Sequence, residues 1–254
     1  MNPHSSRSSS IVVAALSLVL AAGLGLAKPA GAAKYDITIP LVGYAQSEFH
    51  DFSEQLGLAL AYRALAPAEP LGLLGFDVGV EITASKIDRN ESFWKEVMPS
   101  TSTPPGYLPF PKLHAQKGLP FGIDVGLVYT KLPSSNIGMV GGEIKWAILK
   151  GTLATPALAI RGSYTTLTGV DQLDLSTYGA DVSVSKGIAF VTPYLGVGQV
   201  WIKSSTDAVP LQDESISATR TFVGAKLSLL LLSFAAEADF SKVPSYSFRA
   251  GLSF

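Results

Sequence analysis

Two histidines in the body of the chain, His50 and His114, are its main acid–base candidates. His50 opens the run His50-Asp51-Phe52-Ser53-Glu54, with Glu48 just before it. An imidazole among carboxylates can relay protons or bind a metal weakly. His114 follows two prolines in Pro109-Phe-Pro111-Lys-Leu-His114. A serine hydrolase needs a serine beside such a base and an acid behind it. Neither histidine stands in that setting, and a run like 48–54 is more simply a solvated loop. Phosphate-loop, cysteine-cluster and calcium-loop spacings are missing from the sequence. The expectation is no enzyme, no catalytic residue, no metal and no cofactor.

A larger set of charges recurs at alternate positions between apolar residues. It comprises Arg63, Asp77, Glu81, Asp124, Glu143, Lys145, Arg161, Asp181, Lys226, Glu237, Asp239 and Arg249. In a strand, alternation sends these to one face. If the other face meets lipid, the charges must point inward and pair. Two readings are open. The charges form a salt-bridge network filling a narrow lumen, or they line a water-filled path with a slight cation preference. The near balance of signs favours the network. Gly75, Gly79, Gly122, Gly126, Gly141, Gly196 and Gly198 share that face. They leave room for a passage or permit the strands to coil.

The elements that must position these residues are long alternating strands. In residues 74–85 the apolar set Leu74, Phe76, Val78, Val80, Ile82, Ala84 opposes Gly75, Asp77, Gly79, Glu81, Thr83, Ser85. The same split runs through 121–131, 140–148, 158–165, 178–185, 232–240 and 246–254, and more noisily through 188–203 and 218–229. A soluble sandwich also alternates, but over strands of about 5–6 residues. Mean hydropathy is high at +0.32, yet after Leu26 no apolar run approaches helix-spanning length. Only helices or closed barrels cross lipid, because every backbone polar group needs a partner there. The expected fold is therefore all-β, a transmembrane antiparallel up-and-down barrel.

Connections set the strand count. Tight inner turns fall near 229–231, 186–187, 150–151, 116–118 and 66–70. Outer loops fall at 241–245, 204–216, 167–174, 132–135 and 86–106. This predicts twelve strands, including 34–43, 56–65 and a weakened, proline-bearing strand at 107–115. Ten is the alternative, if 34–56 is an N-terminal plug and the proline-bearing strand fails. Residues 46–55 fit a short helix or plug in the lumen or across the mouth. Aromatics sort into two belts: Phe121, Trp146, Phe190 and Phe254 at inner ends, and Tyr129, Tyr164, Tyr178, Trp201, Phe240 and Tyr246 at outer ends. The loop 86–106 carries Phe93 and Trp94 among charges and is the candidate recognition loop.

The N-terminus reads as a secretory signal peptide over residues 1–32, with Arg7, an apolar run at 11–26 and small residues after it. Cleavage after Ala32 is favoured over cleavage after Ala27. The barrel then occupies 33–254. The chain lacks cysteine, so sheet closure rather than disulfides must hold it. Its mild acidity gives no case for nucleic-acid binding.

The run Tyr246-Ser-Phe248-Arg-Ala-Gly-Leu252-Ser-Phe254 resembles the terminal strand of Gram-negative outer-membrane proteins. That resemblance implies an assembly signal in Tyr246, Phe248, Leu252 and Phe254, read by the barrel-assembly machinery. It also implies a place in the outer membrane after export through the inner membrane, with outer-membrane lipid as partner. Lys117-Gly-Leu-Pro-Phe-Gly-Ile-Asp-Val-Gly126, with Gly75-Phe-Asp-Val-Gly79, resembles a poorly characterised family of proteobacterial outer-membrane proteins. The repeated Gly-(Phe/Ile)-Asp-Val-Gly also resembles segments of long-chain fatty-acid transporters, which are longer and carry a sizeable N-terminal hatch. The functions left open are a passive, porin-like channel for small or apolar solutes, and a structural or surface-interaction barrel using loop 86–106. A membrane hydrolase ranks below both. Oligomeric state is not encoded in any of these features.

Overall fold

The computed structural model describes residues 35–254 apart from 42, 99–102, 133, 134 and 153. The expected signal peptide and both cleavage sites lie outside the described residues.

Ten antiparallel strands close into a barrel. They are β1 (Phe76–Lys86), β2 (Tyr107–Gly118), β3 (Ile123–Lys131), β4 (Gly138–Lys150), β5 (Ala157–Thr168), β6 (Asp174–Ser185), β7 (Val191–Ser205), β8 (Glu214–Leu229), β9 (Leu232–Phe240) and β10 (Ser245–Ser253). Each strand pairs with its sequence neighbours, and β10 returns to β1 in register from Asp77↔Ser253 to Ser85↔Ser245. Closure leaves no free sheet edge to satisfy.

The alternation inverts that of a soluble protein. On β1, Phe76, Val78, Val80 and Ile82 are exposed, while Asp77, Glu81, Thr83 and Ser85 are buried. The other strands repeat this, with aromatics exposed at two levels. Phe121, Trp146, Phe190 and Phe254 stand toward one end, and Tyr129, Tyr164, Tyr178, Trp201, Phe240 and Tyr246 toward the other. Water would penalise so much apolar surface and hydrocarbon does not. The wall is therefore a transmembrane wall.

The connections distinguish the two ends. Residues 119–122, 151–156, 186–190 and 230–231 form short turns at one end. Residues 87–106, 132–137, 169–173, 206–213 and 241–244 join strands at the other. These are called the turn end and the loop end below. The longest loop carries a short helix, Ser92–Val97.

The twelve-strand expectation is corrected to ten. The described residues of 34–43 form no strand, and 56–65 divide between the end of a helix, α1 (Gln46–Leu60), and an extended stretch. Residues 56–68 are buried without a break. A wall strand must show one face to lipid, and this segment shows none because the barrel surrounds it. Its alternating pattern misled because large and small residues also alternate when a chain threads a narrow lumen. The proline-bearing strand, in contrast, forms over its whole length as β2. Its β3 pairing begins only at Lys112↔Thr130, so Pro109 and Pro111 sit where β2 is bonded to β1 alone. A missing N–H costs least at such an edge.

Candidate functional site: the filled lumen

The chain N-terminal to β1 runs through the barrel from the loop end to the turn end. Near its start, Ile37 and Asn136 of the 132–137 loop clasp each other. The Asn136 amide accepts from the Ile37 N–H at 2.8 Å and donates to its carbonyl at 2.7 Å. Helix α1 follows. Phe49, Phe52, Ser53, Leu56, Gly57 and Leu60 share one face at helical spacing, and all are buried. The Glu48 carboxylate accepts from the Ala45 N–H at 3.1 Å, which suits a helix N-terminus. Gly57 lets the helix lie close to β7: a Cβ there would stand 2.5 Å from an Ile202 methyl.

The upper lumen around α1 is apolar, built from Leu108, Phe110, Leu167, Leu175, Val200, Ile202 and Ile216 with the helix face. Phe93 and Trp94 join this core. Trp94 is 0% exposed, edge-on to Phe52 at 5.2 Å, and its indole N–H donates to Gln55 at 2.9 Å. The candidate recognition loop therefore packs its two aromatics inward. Among its described residues the long loop exposes Asp88, Arg89, Asn90, Glu91, Ser92, Lys95, Glu96 and Thr103. Burial, together with the charges of Glu48, Glu96 and Asp51, raises the Tyr44 phenol well above its ordinary value. Asp88, Glu91 and Glu96 of the long loop, with Glu48 and Asp51 of α1, outnumber Arg89 and Lys95 there.

After Leu60 the chain is extended, and its backbone polar groups have no ladder to join. The wall supplies their partners. Arg220 donates to Tyr62 O at 2.6 Å and Arg249 to Ala64 O at 3.2 Å. Lys145 donates to Pro67 O and Glu69 O, both at 2.9 Å. Ser185 accepts from the Ala68 N–H at 3.0 Å, and Asp124 accepts from the Leu71 N–H at 3.1 Å. At the turn end Glu69 accepts from the Gly187 N–H at 2.9 Å. Arg63, within the segment, donates to Leu58, Ala59 and Ala61 carbonyls, the groups that a helix C-terminus leaves unpaired. Its other contact is Ser245 of β10 at 2.8 Å.

The same wall charges pair with one another. Asp77 accepts from Lys226 at 2.7 Å and from Arg249 at 3.2 Å. Glu81 pairs with Lys112 at 2.7 Å, and Asp124 with Lys145 at 2.9 Å. Arg161 bridges Glu143 at 2.8 Å and Asp181 at 3.5 Å. Arg220 lies 3.3 Å from Asp239, and Tyr194 donates to Glu237 at 3.0 Å. A void beside Tyr62, Asp181 and Arg220 measures about 10 Å³, at the lower limit for a single water.

Eleven of the twelve anticipated lumen residues stand on the wall, facing in. Arg63 is in the lumen too, but on the filling segment. Lys112 and Arg220 are further inward-facing wall cations outside the anticipated set, and with them that set comprises seven basic and seven acidic groups. Leu108, Phe110, Lys112, His114 and Gln116 alternate visibly on β2, but the prolines obscured it. Arg220 fell in a stretch too noisy to assign. His114 is buried beside Glu81, 3.5 Å away, and Arg249, 3.2 Å away. His50 stands at the loop end, 2.7 Å from Glu214. The inward glycines do not mark a passage. Gly126 faces the Tyr62 hydroxyl and Gly224 the Tyr194 phenol, each closer than a Cβ would tolerate.

The repeated Gly-(Phe/Ile)-Asp-Val-Gly also has a local explanation. Both copies begin a strand at the turn end and put an aspartate, Asp77 or Asp124, into the lumen. No family model and no curated protein matches the chain. Solved structures do. Ail, the attachment invasion locus protein of Yersinia pestis, in complex with the heparin analogue sucrose octasulfate, matches at 14% identity over 71% of this chain and 98% of its own, with a TM-score of 0.29. Neisserial surface protein A matches at 12% identity over 70% and 95%, with a TM-score of 0.30.

Proposed function

We propose that this chain is an outer-membrane barrel closed to passive flux, acting through the surface that its loop end presents. One observation carries the reading: residues 61–70 occupy the lumen, and wall cations are spent on their carbonyl groups. A conducting path would leave those charges to water and ions. Short turns at one end and long loops at the other fit an orientation with turns in the periplasm and loops outside. The cap of α1, the Ser92–Val97 helix and the loops then forms an acidic outer surface, and the exposed part of 86–106 belongs to it.

The reading is non-enzymatic. Its support is that His114 is walled in by Glu81 and Arg249, and His50 is engaged by Glu214. The sealed lumen speaks against the passive-channel alternative for the protein in this conformation. Planar-bilayer recording of the purified full chain tests the choice. The expected record is a flat baseline, with stepwise conductance appearing when residues 35–70 are deleted. Steady conductance from the intact chain would overturn the proposal.

A further inference from the structure

We propose that the turn end is a lipid-anchoring surface, with its three apolar turns sunk into a phospholipid leaflet carrying anionic headgroups. The inference rests on the membrane-spanning reading of the wall and goes beyond it, since barrel turns ordinarily face water.

Three observations converge. The first is side-chain chemistry. The β8–β9 connection is Leu230–Leu231, flanked by Leu229 and Leu232, and Leu230 is 100% exposed. Phe121 is 85% exposed in the β2–β3 turn, and Ile188 and Phe190 are exposed in the β6–β7 turn.

The second is backbone conformation. Phe121 (φ 66°), Ala189 (φ 53°) and Leu230 (φ 57°) all adopt the left-handed region. Asparagine, aspartate and glycine take that conformation more readily, and they are the usual residues of two-residue hairpin turns. Apolar residues here forgo both the easier backbone and the hydration that water-facing turns would enjoy. A hydrocarbon environment repays them.

The third is continuity and charge. At the β2–β3, β6–β7 and β8–β9 turns these residues continue the exposed apolar face of the wall, whereas the β4–β5 turn is polar, with Thr152 and Thr155 exposed. At the opposite end the outer faces of β7 and β8 turn polar well before the strands finish, with Gln199, Lys203, Ser215, Ser217 and Thr219. The hydrocarbon layer is therefore displaced toward the turns. Lys117 and Lys150 are exposed at that rim. Lys117 is braced by the carbonyls of Leu73 and Gly75 at 2.6 and 3.0 Å. Glu69, an acid of the same end, is engaged by Gly187. A basic margin around an apolar tip fits a leaflet whose surface is negative.

The chain has no cysteine, so single cysteines report position directly. Leu230→Cys, Val182→Cys on the mid-wall and Asp207→Cys at the loop end would each carry a polarity-sensitive thiol dye. The protein is reconstituted into phosphatidylcholine vesicles containing phosphatidylglycerol. The expected result is blue-shifted emission at position 230, quenched by brominated acyl chains as at 182 and not by iodide. Emission at 230 matching position 207, with iodide quenching, overturns the proposal and would leave the rim to a protein partner that the vesicles lack. If 182 itself escapes brominated lipid, the membrane-spanning reading is what fails. Lys117→Gln combined with Lys150→Gln should lower the preference for phosphatidylglycerol over phosphatidylcholine several-fold. An unchanged preference would remove the headgroup part of the proposal.

Discussion

Arg249, on the strand that completes the wall, donates to the carbonyl oxygen of Ala64 in the segment that fills it, at 3.2 Å. The same guanidinium reaches Asp77 of β1 at 3.2 Å, across the closing seam. One buried side chain thus joins barrel closure to lumen filling. Charges buried this deeply add little net stability as pairs, but breaking one is expensive because a partner is stranded.

Arg249→Met should therefore cost about 1–3 kcal/mol, the usual penalty for leaving a buried polar group short of a partner. Asp77 would keep Lys226, while the Ala64 carbonyl would lose its donor. Urea unfolding in detergent, followed by the heat-modifiable shift of the folded band in gels, measures the loss. A change below about 1 kcal/mol would show that the arginine is not a keystone of the seam.

Gly224→Ala should destabilise by about 1–3 kcal/mol through overpacking. A Cβ there would meet the Tyr194 ring at 2.4 Å and its hydroxyl at 2.5 Å. Tyr194→Leu should absorb part of that loss, so a double-mutant cycle should show clear coupling. Strict additivity would mean that the tyrosine does not fill the space above the glycine.

Leu41 is exposed near the loop end, close to the Ile37–Asn136 clasp. Leu41→Cys should react with a membrane-impermeant maleimide on intact cells, and Thr155→Cys, in the exposed polar β4–β5 turn, only after the outer membrane is opened. The reverse pattern would invert the orientation. Equal labelling of both would mean that the barrel does not separate two compartments.

Trp94→Ala should loosen the cap by about 3–5 kcal/mol, as for other fully buried aromatics. Surface binding should respond instead to Glu91→Gln and Glu96→Gln, which leave the packed core intact. Native-state hydrogen exchange in α1 separates the two effects. It should accelerate for the tryptophan variant and stay unchanged for the charge variants.

The wall was readable because lipid enforces a strict rule. At residues 76–85 each outward residue is apolar and each inward one small or polar, so strand, face and depth follow together. The filling segment obeys no such rule. Leu56, Leu58, Leu60 and Tyr62 alternate with Gly57, Ala59, Ala61 and Arg63 as a wall strand would, yet every one is enclosed. What distinguishes it is composition: alanine at 59, 61, 64, 66 and 68, and prolines at 67 and 70, suit a chain passing through a tight bore. The charges were placed correctly by face, but their targets were not foreseeable. Lys145 and Arg220 bind carbonyl groups of a distant stretch, and alternation carries no information about such partners.

The order of elements along the chain has a consequence for assembly. Residues 61–70 precede every wall strand, while the ring around them is completed when β10 meets β1. A finished ring offers no sideways entrance. The segment must therefore lie along the concave face of the still-open sheet before the seam zips. Sealing is then decided by timing rather than by affinity for a completed hole, and a molecule that closed empty would stay hollow for as long as its seam held.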